Sequence, residues 1–218
     1  MKLAPSNKWS APAISPETGY VVMSNQRWDV ATGSLVLLGS LPGSSTPAIG
    51  TAISANGKVI AGYAYVAAGE WEPFRWTEKG GLMRIGFPGR RLQGIAVDLS
   101  ASGHVVVGEH TSGSGPSEAF RWVSSSYRGG TLTLLGVPPY GTYSVANAVS
   151  SDGTLVAGRA GAHSSRFLQS GSAMIWDATR GMRWVQNVLA SEYGLEEKLD
   201  GWTLLEVVGI EHDAAFIY

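Results

Sequence analysis

The residues best equipped for chemistry come as a repeated set. Phe74, Arg75 and Trp76 return 46 residues later as Phe120, Arg121 and Trp122. A cation beside an aromatic ring can hold a charged or ring-shaped ligand. On a strand, however, successive side chains point to opposite faces, so Phe and Trp share one face and Arg takes the other. That pattern packs between stacked sheets, with the Arg bridging neighbours through a carboxylate or backbone carbonyls. The four histidines, His104, His110, His163 and His212, form no His-x-His or His-x-x-x-His pair, so no local spacing supports a metal site. Glu211, His212 and Asp213 are the densest titratable cluster and read as a solvated turn before the last strand. Asp98, Glu109, Glu118 and Asp152 are the carboxylates from which glycoside chemistry would have to draw a pair. There is no Gly-x-Ser-x-Gly elbow and no phosphate loop. Absence of cysteine excludes disulfides, thiolate metal sites and cysteine nucleophiles. No catalytic residue, metal or cofactor is assigned.

The segments that must position these residues recur too. A short apolar run closing on Ser and Gly begins at Ala13, Ala52, Asp98 and Ala148. Trp28, Trp76, Trp122 and Trp176 follow, spaced 48, 46 and 54 residues apart. Third come "LVLLGSLPG", "LMRIGFPG" and "LTLLGVPP". The landmarks keep one order throughout, which marks an internal repeat. Each unit reads as four short strands, in the second unit "GTAIS", "KVIAGYAY", "PFRWT" and "LMRIG". Asn56-Gly57, Ser102-Gly103 and Asp152-Gly153 supply tight turns between the first two strands. Gly80-Gly81, Gly129-Gly130 and Gly181 turn between the last two.

A four-stranded antiparallel unit of about 40–50 residues suggests a propeller blade, which buries its faces only by stacking on neighbours. The expectation is an all-β, β-propeller-like single domain over 1–218. It has four complete four-stranded blades at about 11–40, 48–87, 94–137 and 144–190, and a reduced fifth over 201–218. An open repeat array or a β-sandwich is the alternative. One short C-terminal helix falls within 182–194, where Trp184, Val185, Val188 and Leu189 keep helical spacing and Gly194 can cap the end.

Bulk properties narrow the partners. The 218 residues carry a formal charge of −1 with only 15% charged residues, giving no electrostatic reason to expect nucleic acid or an acidic membrane surface. No run reaches membrane-spanning length, so membrane insertion is not expected, and no signal peptide is visible in "MKLAPSNKWSAPAIS". In a meander the connection between the second and third strands lies at the same end as the connection to the next unit. Those segments read as long loops: "AYVAAGEWE", "HTSGSGPSE" and "AGAHSSRFLQSGS", with "PGRRLQG" and "PPYGTYS" beside them. Loops on a rigid scaffold commonly carry function. The candidate binding residues are therefore Tyr65, Trp71, Arg90, Arg91, Tyr140, Tyr143, His163 and Arg166. Aromatic platforms with Arg and Tyr donors suit sugar rings or a protein partner.

Several of these motifs resemble a known group. Glu118-Ala119-Phe120-Arg121-Trp122, Leu38-Gly39-Ser40-Leu41-Pro42-Gly43, Val149-Ser150-Ser151-Asp152-Gly153 and the C-terminal Leu199-Asp200-Gly201-Trp202-Thr203-Leu204 are similar to HAF-repeat proteins. These are bacterial extracellular repeat proteins, also found in autotransporter passenger regions. The histidine of that motif is replaced by Glu72, Glu118, Ser172 and Ala214, and the last unit lacks the Ser-x-Asp-Gly hairpin. The resemblance implies an extracellular or cell-surface location and no catalytic motif. "SSDGTLVAG" also resembles the aspartate-box hairpin of sialidases, itself a structural turn, but lacks its following aromatic residue. The leading expectation is a non-enzymatic scaffold or binding module for a glycan or a protein. The alternatives are a glycan hydrolase or lyase on a propeller, and a purely structural repeat completed by self-association through edge strands.

Overall fold

The computed structural model describes residues 12–67, 70–86, 93–111, 117–126, 129–165 and 168–210. They form four antiparallel sheets of four strands, each a simple meander in chain order. The first sheet holds β1 (Ala13–Ile14), β2 (Tyr20–Met23), β3 (Gln26–Asp29) and β4 (Leu35–Leu37). The second holds β5 (Ile49–Ile53), β6 (Val59–Ala67), β7 (Glu70–Thr77) and β8 (Gly81–Arg84). The third holds β9 (Gln93–Leu99), β10 (Val105–Thr111), β11 (Ser117–Ser126) and β12 (Gly129–Leu134). The fourth holds β13 (Tyr143–Val149), β14 (Leu155–Ser165), β15 (Leu168–Asp177) and β16 (Gly181–Trp184). One helix, α1 (Val185–Tyr193), and a single 3-10 turn, Glu197–Leu199, follow.

Strand alternation gives every sheet two faces with different jobs. In the second sheet Ile53, Ile60, Trp76 and Leu82 form a row across all four strands. With Phe74 they pack on Val22, Val36 and Leu38 of the preceding unit. The opposite row, Ala52, Ala61, Arg75 and Met83, faces the third sheet. Leu99, Val106, Trp122 and Leu132 form the matching backward row of the third sheet. Val149, Val156, Trp176 and Met182 form that of the fourth. Small residues on one face and large ones on the other let consecutive sheets interlock, and among the described residues the sheets form an open stack.

The turns between first and second strands make a second, polar seam. Ala55 N donates to Ala101 O at 2.9 Å, and Ala101 N to Ser151 O at 3.1 Å. Buried Ser54, Ser100 and Ser150 each accept the amide that opens the second strand, Val59, Val105 and Leu155, at 3.0–3.1 Å. Glycine is required at the tip for two reasons. Gly103 sits at φ +69, and a Cβ there would lie 2.5 Å from Cβ of Val59 in the sheet before it.

Two sequence expectations change, and the bounds of the expected helix are set. Where they are described, the segments read as long loops are strand extensions, because β6 pairs with β7 out to Ala67 and Glu70, β10 with β11 to Thr111 and Ser117, and β14 with β15 to Ser165 and Leu168, while residues 68–69, 112–116 and 166–167 lie outside the described residues. Pairing satisfies backbone groups that a loop would leave to water, and their mixed small and polar side chains do not oppose it. The helix starts at Val185, because Met182 to Trp184 complete the fourth sheet as β16. Gly194, at φ +64, closes its C-terminus as expected. Finally, residues 201–210 build no sheet of their own. They run across the outer face of the fourth sheet, where Ala173 N donates to Leu204 O at 2.8 Å and Val207 N to Gly158 O at 3.1 Å. Leu204 and Val207 pack there with Ile175, Val185, Val188 and Leu189, so helix and tail together cover that face. Residues 211–218, with the Glu211-His212-Asp213 cluster, lie outside the described residues. No helix among the described residues is long and apolar enough to cross a membrane.

Candidate functional site

The Arg-Trp pairs resolve first. Arg75 is buried and its Nε donates to the Gly103 carbonyl of the next sheet at 2.9 Å. Arg121 gives Nε and Nη2 to Gly153 O at 3.1 and 2.9 Å, and Arg27 gives Nη1 to Gly57 O at 3.1 Å. Each guanidinium also lies over the Trp of the next sheet: Arg27 over Trp76 at 5.2 Å, Arg75 over Trp122 at 6.0 Å and Arg121 over Trp176 at 5.9 Å. These pairs brace one sheet to the next, which burial of the charge requires. Desolvation lowers the pKa of Arg75 and of Arg121. In the fourth sheet Ile175 stands where the Arg would be, on the face covered by helix and tail.

Of the candidate binding residues, the fold brings two into contact. Tyr65 and Trp71 are directly opposite each other near the end of the β6–β7 hairpin, with ring centroids 6.4 Å apart in an edge-to-face arrangement. Tyr63, two residues inward on the same face, meets Tyr65 at 6.2 Å. Tyr63 is buried and its hydroxyl pKa is raised, first by desolvation and then by Tyr65. The three rings make a graded strip from buried to half-buried. The matching places hold Glu109, Thr111, Ala119 and Ser117 in the third sheet, and Arg159, Gly161, Ala173 and Gly171 in the fourth. The aromatic strip belongs to the second sheet's hairpin alone among these three.

The remaining candidates separate. Tyr140 is fully exposed at φ +61, at the same end of the stack, in a turn closed by Gly141 N to Pro138 O at 2.8 Å. Tyr143 is a correction: it opens β13, is 2% exposed, and its ring stands where a side chain on Gly171 would have to go. It shares the outer face of the fourth sheet with Val145 and Asn147, where Asn147 Nδ2 donates to Glu206 Oε1 and Val207 O, and burial raises its hydroxyl pKa. His163 falls in β14 opposite Gln169, in the strand and not in a loop. Arg90, Arg91 and Arg166 lie outside the described residues.

Three acidic residues named in the sequence take roles that sequence reasoning did not assign them. Glu72 is buried beside Arg84, with Oε2 and Nη1 3.4 Å apart, and Arg84 Nη2 reaches Pro42 O at 3.5 Å. Glu118, at the same place in the next unit, accepts the Gly136 amide at 3.0 Å. The signal was there: both glutamates sit two residues before the Phe of the motif, on its face. Asp98 replaces the small residue found at Ala52 and Ala148. Its carboxylate accepts Leu99 N at 2.8 Å and Val149 N at 2.9 Å, linking the third and fourth sheets. Burial pushes its pKa up to about 6 against the lowering effect of those two amides. Both oxygens are engaged by backbone, so Asp98 acts as an inter-sheet fastener. No group of three His, Asp or Glu residues able to hold a metal occurs among the described residues.

No family model and no curated protein matches the chain. Solved structures do. TolB from Acinetobacter baumannii aligns with a TM-score of 0.53 at 16% identity, over 80% of this chain and 42% of that one. A putative TolB from Agrobacterium tumefaciens aligns with a TM-score of 0.45 at 12% identity, over 80% of this chain and 79% of that one. The first likeness concerns the fold, a β-propeller in TolB, and this chain spans less than half the length of that protein.

Proposed function

We propose that the chain is a non-enzymatic, β-propeller-like binding module of a bacterial surface or secreted protein, taking a glycan or a protein at its hairpin end. The observation that carries this reading is the Tyr63–Tyr65–Trp71 strip. It is the place in the second unit where aromatic side chains depart from the repeat while the braced sheets beneath it keep to the pattern. Edge-to-face rings of graded exposure offer ring faces and edges with a hydroxyl donor beside them, which suits a sugar ring or a partner's aliphatic side chain. Tyr140 at the same end extends the candidate surface, and the site as read from the sequence adds Arg90, Arg91, His163 and Arg166. The similarity of the units to HAF repeats supports the location, and the fold likeness to TolB supports a scaffold role.

The test is a glycan array beside a titration with peptides displayed as a library, each run with the parent chain and with Trp71→Ala. A ligand retained by the parent and weakened at least about tenfold by Trp71→Ala supports the reading, since losing an aromatic anchor costs about 2 kcal/mol or more. Blank arrays and libraries together with hydrolysis in a glycosidase screen would sink it.

A further inference from the structure

The first sheet is built like an interior sheet, but among the described residues nothing packs on its outward side. Its row Ile14, Val21, Trp28 and Leu35 follows the same registers as Ile53, Ile60, Trp76 and Leu82 in the second sheet, the row that packs on a preceding unit. In the second and third sheets the Trp of this row is 4% and 2% exposed, whereas Trp28 is 41% exposed and Ile14, Leu35 and Leu37 are exposed with it. The turn beside it is also open. The turn glycines of the later sheets are wedged against the sheet before them, whereas in the first sheet Thr18 holds their place and the adjoining Gly19 has nothing within 4 Å of a Cβ built on it. Among the described residues no side chain reaches the Thr18 carbonyl, which holds the place of the Gly57, Gly103 and Gly153 carbonyls. The opposite end of the stack is sealed, with Ile175 in place of the bracing Arg and with α1 and the 204–207 segment laid over it.

We infer that the outward face of the first sheet is a docking surface for one further sheet of the same repeat type, whose third strand carries an arginine. The occupant is argued from continuity with three interfaces of one design. In each, a row of small residues with an Arg meets a row of large apolar residues with a Trp, the guanidinium lies over the indole, and it donates to the turn carbonyl. Trp28 and the Pro16–Gly19 turn are the receiving half of that design. The donating halves among the described residues, Arg27, Arg75 and Arg121, are all engaged. Polarity also bears on the occupant: the fourth sheet carries Ile175 in place of the arginine and is covered by α1 and the 204–207 segment, so copies of this chain do not join end to end through these two faces. This inference does not depend on ligand binding at the hairpin end.

The test inserts a copy of residues 46–92 between residues 11 and 12 of the full chain, so that the chain's own second unit is the probe. Docking predicts that hydroxyl-radical oxidation of Trp28, read by mass spectrometry, falls several-fold. It also predicts a rise in Tm of about 5 °C or more, and a smaller gain when the inserted copy carries Arg75→Ala. Unchanged oxidation of Trp28 overturns the inference whether or not the inserted copy folds, because a matching face would fold and hold it. So does sedimentation of the parent chain as a dimer that Trp28→Glu dissociates, since a second copy would then be the occupant.

Discussion

Single residues do more inter-sheet work here than their exposure suggests. Arg75 combines a hydrogen bond to a buried turn with a contact to Trp122, so Arg75→Ala strands the Gly103 carbonyl and uncovers the indole. The expected loss is about 2–4 kcal/mol in urea unfolding, and Arg75→Lys recovers little of it because an ammonium cannot lie flat on a ring and keep the same donor direction. Asp98 carries a pH signature. Its folded pKa of about 6 exceeds the ordinary 3.8, so between those values the folded chain holds the extra proton. The stability it contributes is complete below the lower value and is lost as pH rises through the upper one, a swing of at most about 3 kcal/mol. Asp98→Asn should flatten that slope between pH 4.5 and 7 while lowering stability overall, since an amide cannot accept from both Leu99 N and Val149 N. Asp29, Asp152 and Asp177 have lowered values and act in the opposite sense only at more acidic pH. Of these residues, the sequence made the Arg brace legible as a role and left its partner open, because the acceptor is a backbone carbonyl that any residue could supply.

Among elements, the turns and the helix hold the stack's ends and seams. Gly103 and Gly181 share the same backbone angle, φ +69, but a Cβ meets Val59 at the first and open space at the second. Gly181→Ala should therefore cost only the backbone strain, about 1–2 kcal/mol, while Gly103→Ala adds about 1–3 kcal/mol of overpacking. Adding Val59→Ala to Gly103→Ala should return part of that second amount, a coupling that a double-mutant cycle in urea measures directly. The helix is clamped by a four-charge network. Arg183 bridges Asp177 and Glu192 at 2.7 Å each, and Arg180 joins the same two at 3.1 and 2.9 Å. Arg183→Ala is expected to expose the 185–199 region to limited proteolysis well before the sheets unfold. Hydrophobic spacing revealed the helix, but it did not reveal that Met182 to Trp184 belong to β16, because strand and helix compete for the same short apolar run and the neighbouring β15 decides. The long loops were misjudged for the same reason: pairing of β6 with β7, or β14 with β15, draws on a partner strand and not on local propensity.

At the scale of the whole molecule, a stack whose units touch only their neighbours unfolds from its weakest end. Among the described residues the first sheet has one face uncovered, the second and third have both faces packed, and the fourth is covered by helix and tail. Hydrogen exchange should therefore be fastest in β1–β4 and slowest in the strands of the second and third sheets. Uniform protection across all four would contradict this picture of the stack. The sequence by itself determined the repeat, the four-stranded unit, the turn glycines and the side of each strand that is apolar, because these depend on order, spacing and local chemistry. Only the tertiary structure decided which carbonyl each arginine meets, that Tyr65 and Trp71 form one surface while Tyr143 is buried, and that residues 201–210 lie across the fourth sheet and build no sheet of their own. Those outcomes rest on contacts between residues distant in the chain, where the neighbouring sheet, and not the local pattern, sets what each side chain touches.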